Sequence, residues 1–254
     1  MVNLHICNDA NDLGKKAAEH AGRILTECIQ EKGKARLVLS TGQSQFEFFE
    51  NFVQQPVDWS KVEMFHLDEY VGLPESHPAS FRKYLKERFT TKVPLGKAHF
   101  VNGEGDIAEQ IAALNEEISK EPVDLGLIGI GENAHIAFND PPANFDTDEP
   151  YIVVDLDDAC KQQQVREGWF PSIDDVPKQA ITMSVKQILK CEAIISCVPH
   201  QVKAEAIRRT LTEEITNVVP ATILKTHRNW SLYLDPASSS QIDPSKAALQ
   251  ERSS

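Results

Sequence analysis

Between residues 10 and 31 the apolar positions Leu13, Ala17, Ala21, Ile24, Leu25 and Cys28 recur every three or four residues. That spacing gathers them on one helical face, and Gly33 stands just past the end as a stop. The period then changes. Arg36-Leu-Val-Leu-Ser40 is a short apolar run of strand length that empties into the polar Thr41-Gly-Gln-Ser44, and Phe46 to Phe52 returns to helical spacing. A second strand-like run, Val62 to Leu67, ends at the paired acids Asp68-Glu69. Beyond it the pattern predicts helices over Pro78 to Phe89, with Ser80 in the first turn, and over Ile107 to Ile118. A buried strand over Asp124 to Ile130 runs into Gly131. Strands near Ile181 and over Ala193 to Val198, a helix over Gln201 to Leu211 and a last strand over Trp230 to Leu234 complete the series. Strands alternating with helices predict the α/β class, a doubly wound, mostly parallel sheet with helices on both faces.

The stretch 141–178 carries Pro, Asp and Gly punctuation without clear periodicity. It reads as a long excursion, a candidate lid on a single domain spanning residues 1–236. Residues 237–254 read as a polar, Ser-rich tail that frays. With 254 residues, one elaborated core is the default.

Charge narrows the partners. A net charge of −12 argues against a nucleic-acid backbone, whose binding needs clustered Lys and Arg. A small anion needs only a local positive site, which a few backbone N–H groups and one cation supply. The five cysteines, Cys7, Cys28, Cys160, Cys191 and Cys197, form no CxxC pair and read as reduced thiols. No basic-then-apolar leader and no apolar run near the roughly 20 residues of a membrane helix is present, so a cytoplasmic protein without membrane contact is expected.

Three polar clusters fall where apolar strands end, the place where open parallel sheets bind ligands. In the loop from Ser40 through Thr41, Gly42 and Gln43 to Ser44, hydroxyls and successive N–H groups before a helix suit a phosphate dianion; an ordinary turn with Ser44 as helix cap is the bland reading. Asp68, after Phe65 and His66, is a candidate proton-transferring base, against a solvated strand end or a helix cap for Asp68-Glu69. His135 stands between a Gly-rich turn and Ile136-Ala-Phe138, with Asn133 before it and Asn139-Asp140 after it. It suits a proton shuttle near neutral pH, against a structural hydrogen-bonded histidine. No second His or Cys stands at ligand spacing nearby, so no metal is expected. Lys203, opening the helix after Ala193 to Val198, and Arg166, in the Gln162 to Phe170 stretch, are candidate phosphate cations, although most helical lysines are merely solvated.

Leu67-Asp-Glu-Tyr-Val-Gly-Leu73 and Gly129-Ile-Gly-Glu-Asn-Ala-His-Ile-Ala-Phe-Asn-Asp-Pro141 resemble the two signature segments of the glucosamine-6-phosphate deaminase family. Thr41-Gly42, His77-Pro78 with Ser80, Val176-Pro177 ahead of Ala180-Ile-Thr182, and Lys203 follow in order, so the resemblance covers most of residues 10 to 235. It implies a Rossmann-like sugar-phosphate isomerase fold and an aldose-ketose isomerisation coupled to ammonia loss from an aminosugar phosphate, without metal or organic cofactor. It implies that His135 opens the pyranose ring, that Asp68 moves the C2 proton to C1, and that Thr41, Gly42, Gln43, Ser44, Lys203 and Arg166 hold the phosphate. A homo-oligomer is the general expectation for such enzymes.

The chain departs from the family pattern at Asn133, where the family has Asp, at Ala134, where it has Gly, and at Asp140, where it has Glu. A neutral amide at 133 orients an imidazole but cannot stabilise its cation, leaving that task to Asp140. Residues 160 to 170 and Lys225-Thr-His227 also resemble a divergent branch of the family more than its typical members, which keeps galactosamine 6-phosphate open beside glucosamine 6-phosphate. Two other readings stay open: a 6-phosphogluconolactonase-like hydrolase in which His135 activates water, and a sugar-phosphate sensor without turnover.

Overall fold

The computed structural model describes residues 2–243. The chain runs through β1 (Val2–Ile6), α1 (Ala10–Lys32), β2 (Ala35–Leu39), α2 (Phe46–Phe52), β3 (Val62–His66), β4 (Asp68–Tyr70), α3 (Phe81–Leu85), β5 (Lys97–His99) and α4 (Ile107–Ser119). It continues through β6 (Leu125–Leu127), β7 (Tyr151–Asp155), α5 (Asp158–Arg166), β8 (Gln179–Met183), α6 (Val185–Leu189), β9 (Ala193–Val198), α7 (Ala204–Thr212) and β10 (Trp230–Leu234). Seven strands form one sheet in the order β1-β10-β9-β6-β2-β3-β5, with parallel pairing throughout, for example Leu37 opposite Met64 on one side and Leu125 on the other.

Strand alternation sends successive side chains to opposite faces. Leu37, Leu39, Met64, Ile195 and Tyr233 pack with α1 and α2 in one core, while Val38, Phe65, Ile194, Leu232 and Leu234 pack with Ile207 of α7 in another. The doubly wound α/β arrangement read from the sequence is the one observed. Helix α1 begins where Asp9 accepts the Asp12 N–H at 2.8 Å and ends at Gly33, whose φ of 79° only glycine adopts at little cost.

Three differences from the sequence reading matter. The strand near Ile181 lies outside the parallel sheet, in a separate antiparallel sheet ordered β4-β8-β7. Leu67 is the seam: its N–H donates to Leu39 O in the first sheet and its carbonyl accepts from Met183 N in the second, leaving Asp68 where the sheets part. The second difference is that residues 141–178 are not irregular. They contain β7 and α5, and the helix has no apolar period because its inner face, with Gln163 and Gln164 buried, covers a polar cavity. The third is β1, an edge strand whose signal in the sequence is the alternation of Val2, Leu4 and Ile6.

Of the expected tail, residues 237–243 turn back onto the body, with Ser238 buried and Ile242 against the core. The remainder, 244–254, lies outside the described residues. No helix among the described residues is long and apolar enough to cross a membrane.

Candidate active site

Strand order alone locates a binding crevice. From β2 the chain builds outward through β3 and β5, then returns to place β6 on the other flank of β2, so a switch point lies between β2 and β6. A cavity of about 340 Å³ opens there, lined by Ser40 to Ser44 after β2, Leu67-Asp68 after β3, Gly129 to Glu132 after β6, and His200 with Lys203 after β9. Helix α5 closes one side with Gln163, Gln164 and Arg166.

The loop after β2 keeps its N–H groups available by an unusual turn. Gly42 has φ 108°, a conformation that disfavours a side chain, and its carbonyl accepts the Tyr84 hydroxyl at 2.8 Å. Gln45 Nε2 donates to Ser44 Oγ at 2.9 Å and to Cys197 O at 3.1 Å, tying the loop to β9, and Gln43 Nε2 donates to Glu167 O at 2.8 Å. Lys203 is only 6 % exposed, and no ion pair among the described residues neutralises it. Burial pulls its ammonium below the usual lysine range, with the charges of Glu167 and Glu132 opposing the fall. A buried cation beside a cavity and an N–H-rich loop favours an anion from solution. Arg166, 56 % exposed at the end of α5, is ion-paired with Glu132.

Asp68 and Glu69 are neighbours on β4 and point to opposite sides, as a strand requires. The helix-cap alternative describes Glu69: its carboxylate accepts from Ser80 Oγ at 2.8 Å, Phe81 N at 3.2 Å and Arg82 N at 2.9 Å, and pairs with Arg82 Nε at 3.2 Å. Asp68 lines the cavity, buried, and no cation among the described residues pairs with it. Burial, reinforced by the Glu69 charge, pushes its carboxyl well above the usual carboxylate range. A carboxylate in such a pocket is a stronger base than one in water.

The loop after β6 is tightly wound around His135. Gly131 N donates to His135 O at 2.9 Å, and a Cβ at Gly131 would lie 2.3 Å from the imidazole Cε1, so only glycine fits beneath the ring. Asn133 makes no hydrogen bond to the ring among the described residues. Its Oδ1 accepts the His135 backbone N–H at 3.1 Å, and its amide reaches Asp140 Oδ1 at 3.5 Å. Asp140 Oδ1 lies 3.1 Å from His135 Nδ1, close enough to stabilise an imidazolium, although the atoms are not aligned as a hydrogen bond. The short side chain reaches because Ala134 and Ala137 take left-handed conformations, φ 65° and 53°, which curl the loop back. These are strained positions for residues with a Cβ.

The candidates read from the sequence thus divide. Thr41, Gly42, Gln43, Ser44, Asp68, His135, Arg166 and Lys203 line one cavity; Asn133 and Asp140 stand behind His135. Sequence reasoning missed Glu132, Gln163, Gln164 and Glu167, which line the same cavity, and Cys160, which the fold brings beside Asp140. The i, i+4 spacing of Gln163 and Glu167 is the signal for them, visible only once α5 is known to be a helix.

Three comparisons bear on the arrangement. Residues 8–232 match the family model described as glucosamine-6-phosphate isomerases/6-phosphogluconolactonase. Proteins named glucosamine-6-phosphate deaminase are similar in sequence: that of Streptococcus pyogenes serotype M1 is 36 % identical over 213 residues, 84 % of this chain and 89 % of its own. That of Streptococcus pneumoniae strain Hungary19A-6 is 34 % identical over 226 residues, 87 % of this chain and 94 % of its own. Among solved structures, a monomeric glucosamine-6-phosphate deaminase superposes with a TM-score of 0.84 at 29 % identity, over 94 % of this chain and all of that one. A 6-phosphogluconolactonase from Shewanella baltica OS155 superposes with a TM-score of 0.77 at 18 % identity, over 92 % of this chain and 98 % of that one, a likeness of fold.

Proposed function

The chain belongs to the family of glucosamine-6-phosphate isomerases and 6-phosphogluconolactonases, and from that premise we propose that it is an aminosugar-phosphate deaminase converting glucosamine 6-phosphate and water to fructose 6-phosphate and ammonia. The observation that carries this reading is the pairing, in one cavity, of the uncompensated buried carboxylate of Asp68 with the His135 imidazole backed by Asp140. Hydrolysis of a lactone asks only for an activated water. Removal of a proton from carbon asks for a carboxylate made more basic by desolvation, which Asp68 supplies.

The 6-phosphate lies in the Thr41 to Ser44 loop and is neutralised by Lys203 and by Arg166, which gives up Glu132 to reach it. His135 passes a proton to the ring oxygen as the pyranose opens, its cation held by Asp140. Asp68 removes the C2 proton of the open-chain aldehyde while the aldehyde oxygen takes a proton from the C2 ammonium, giving a C1-hydroxy, C2-amino enol, and Asp68 then returns its proton to C1. The resulting C2 iminium takes up water and expels ammonia, leaving the ketose. Anchoring at the phosphate presents C2 to Asp68, the positioning share of the rate gain. Helix α5 and the residues up to 170 act as the cover that excludes water, since Gln163, Gln164 and Arg166 form the cavity wall. The body up to residue 236 acts as one domain. A phosphorylated substrate and five free cysteines fit a reducing, cytoplasmic setting.

Ammonia release and ketose-phosphate formation, followed in parallel on glucosamine 6-phosphate and galactosamine 6-phosphate with 6-phosphogluconolactone as control, test the proposal. Ammonia from glucosamine 6-phosphate is expected. Lactone hydrolysis without ammonia would transfer the assignment to the hydrolase branch, and tight binding without either product would leave a sensor.

A further inference from the structure

Behind the cavity wall the fold assembles three donors of unlike chemistry. A ring nitrogen of His135, a carboxylate oxygen of Asp140 and Cys160 Sγ all lie within 4.8 Å of one another, and His135 Nδ1 stands 3.1 Å from Asp140 Oδ1. We propose that these three side chains form a binding site for a zinc-like divalent ion, and that its occupation switches the enzyme off by taking the His135 Nδ1 from Asp140.

The donor set is the first argument. Nitrogen, carboxylate oxygen and thiolate sulfur are the ligands zinc takes in tetrahedral sites, with bonds of about 2.0–2.3 Å, so adjacent ligand atoms sit about 3.3 Å apart. The 3.1 Å between His135 Nδ1 and Asp140 Oδ1 already meets that spacing. A shift of about 1.5 Å brings Cys160 Sγ from that 4.8 Å limit to ligand spacing from the Asp140 carboxylate. Charge is the second argument: a divalent ion with one carboxylate, one thiolate and one neutral imidazole sums to zero, the condition for holding an ion out of water, and the Cys160 proton leaves to solvent as the sulfur ligates. The third is availability. His135 Nδ1 is buried with no aligned hydrogen-bond partner, so the imidazole gives up no hydrogen bond, and the one the Cys160 thiol makes to Asp140 is replaced by two bonds to the ion. The frame is also fixed from behind, since Asp157 Oδ1 accepts Cys160 N at 2.6 Å and Asp140 Oδ2 accepts Asp157 N at 3.4 Å.

A second group of similar compactness, Glu63, His99 and Glu117, shows by contrast what a site is not. Arg36 and Lys97 already neutralise Glu63, and Lys97 and Lys120 neutralise Glu117, so a divalent ion would have to displace three cations. Nothing comparable among the described residues protects the His135 group.

With a metal on Nδ1, the imidazole cannot become the cation that Asp140 stabilises, while the phosphate loop and Lys203 are untouched. Zinc is therefore expected to lower kcat and leave KM unchanged. This inhibitory consequence rests on the reaction proposed above; the binding does not. Cobalt(II), added to chelator-treated full-length protein, is the probe, because a thiolate ligand gives it a near-ultraviolet charge-transfer band. Wild type and C28S, the latter removing the half-exposed thiol, should both show the band, and C160S should lack it. C160S should also need at least tenfold more zinc for half inhibition, with magnesium inert throughout, and C160A serves if the serine variant does not fold. A wild type without the band, or a C160S protein equally sensitive to zinc, would overturn the site. A cobalt band in a protein that releases no ammonia would preserve the site and refute the reaction instead.

Discussion

The two ends of the parallel sheet treat buried charge in opposite ways. At the end where β2 and β3 begin, Arg36 is buried yet fully engaged: it donates to Glu63 Oε2 at 2.8 Å, to Ile118 O at 3.1 Å, to Glu117 O at 2.7 Å and to Glu121 O. Asp124 beside it accepts from Lys32 at 2.6 Å and from the Arg36 N–H at 2.8 Å. At the end where the same strands finish, Asp68 and Lys203 are buried without ion pairs among the described residues, and the His135 loop holds two alanines at positive φ. One end is saturated, the other left wanting a ligand. Partners withheld from charged groups and strain held in a loop are what the proposed substrate site requires, and the saturated end supplies stability that offsets their cost.

Asp68→Asn tests the unsatisfied end most sharply. Turnover should fall about 10⁴-fold, equivalent to about 5.5 kcal/mol of barrier, while phosphate-ester binding persists. The same substitution should stabilise the fold. An acid whose folded pKa is raised contributes stability below its unfolded pKa and loses it as pH rises through the folded value, so ionisation of the buried Asp68 works against the fold. Removing it should raise the melting temperature by about 2–4 °C, with wild-type turnover falling on the acid side as Asp68 protonates. A variant that melts earlier would show Asp68 to be compensated after all.

Arg36→Met reverses the pattern at the saturated end. Denaturant melts should show a loss of about 3–5 kcal/mol, because the carbonyls and Glu63 lose their partner, while kcat of the folded enzyme stays unchanged. A specific loss of kcat would break the separation between the two ends. Asp140→Asn is expected to lower kcat about 10²-fold with KM near wild type, since the amide keeps the shape behind His135 but not the charge. An unchanged kcat would remove Asp140 from the proton path. Ala134→Gly has the smallest effect, a gain of about 1 kcal/mol or less, as relief at φ 65° exceeds the added freedom of the unfolded chain. Loss of stability would mean that the buried Ala134 methyl outweighs the strain.

Much of this contrast is legible in the order of the residues alone. The period of the apolar positions fixes α1, β2, β3, β9 and β10, because a strand or helix that buries one side must repeat at its own period, and the polar clusters at 41–44, 68–69 and 131–135 mark the ends of those strands. Helix α5 is not legible, since its inward face meets a polar cavity and carries glutamines. The division of labour between Asp68 and Glu69 is not legible either. Two adjacent carboxylates look alike in a chain, and only the seam at Leu67 turns one toward the cavity and the other toward the start of α3.

What the sequence by itself determined, then, is the class of fold, the loops that line the cavity and the kind of group each contributes, for these follow from local spacing and side-chain type. What only the tertiary structure decided is which groups meet. Residue 68, residue 135, helix α5 with residues 160 and 166, and residue 203 are far apart along the chain, and their convergence depends on strand order and on the crossing from one sheet to the other. Neither is encoded in any short window, because both come from the packing of all the elements at once.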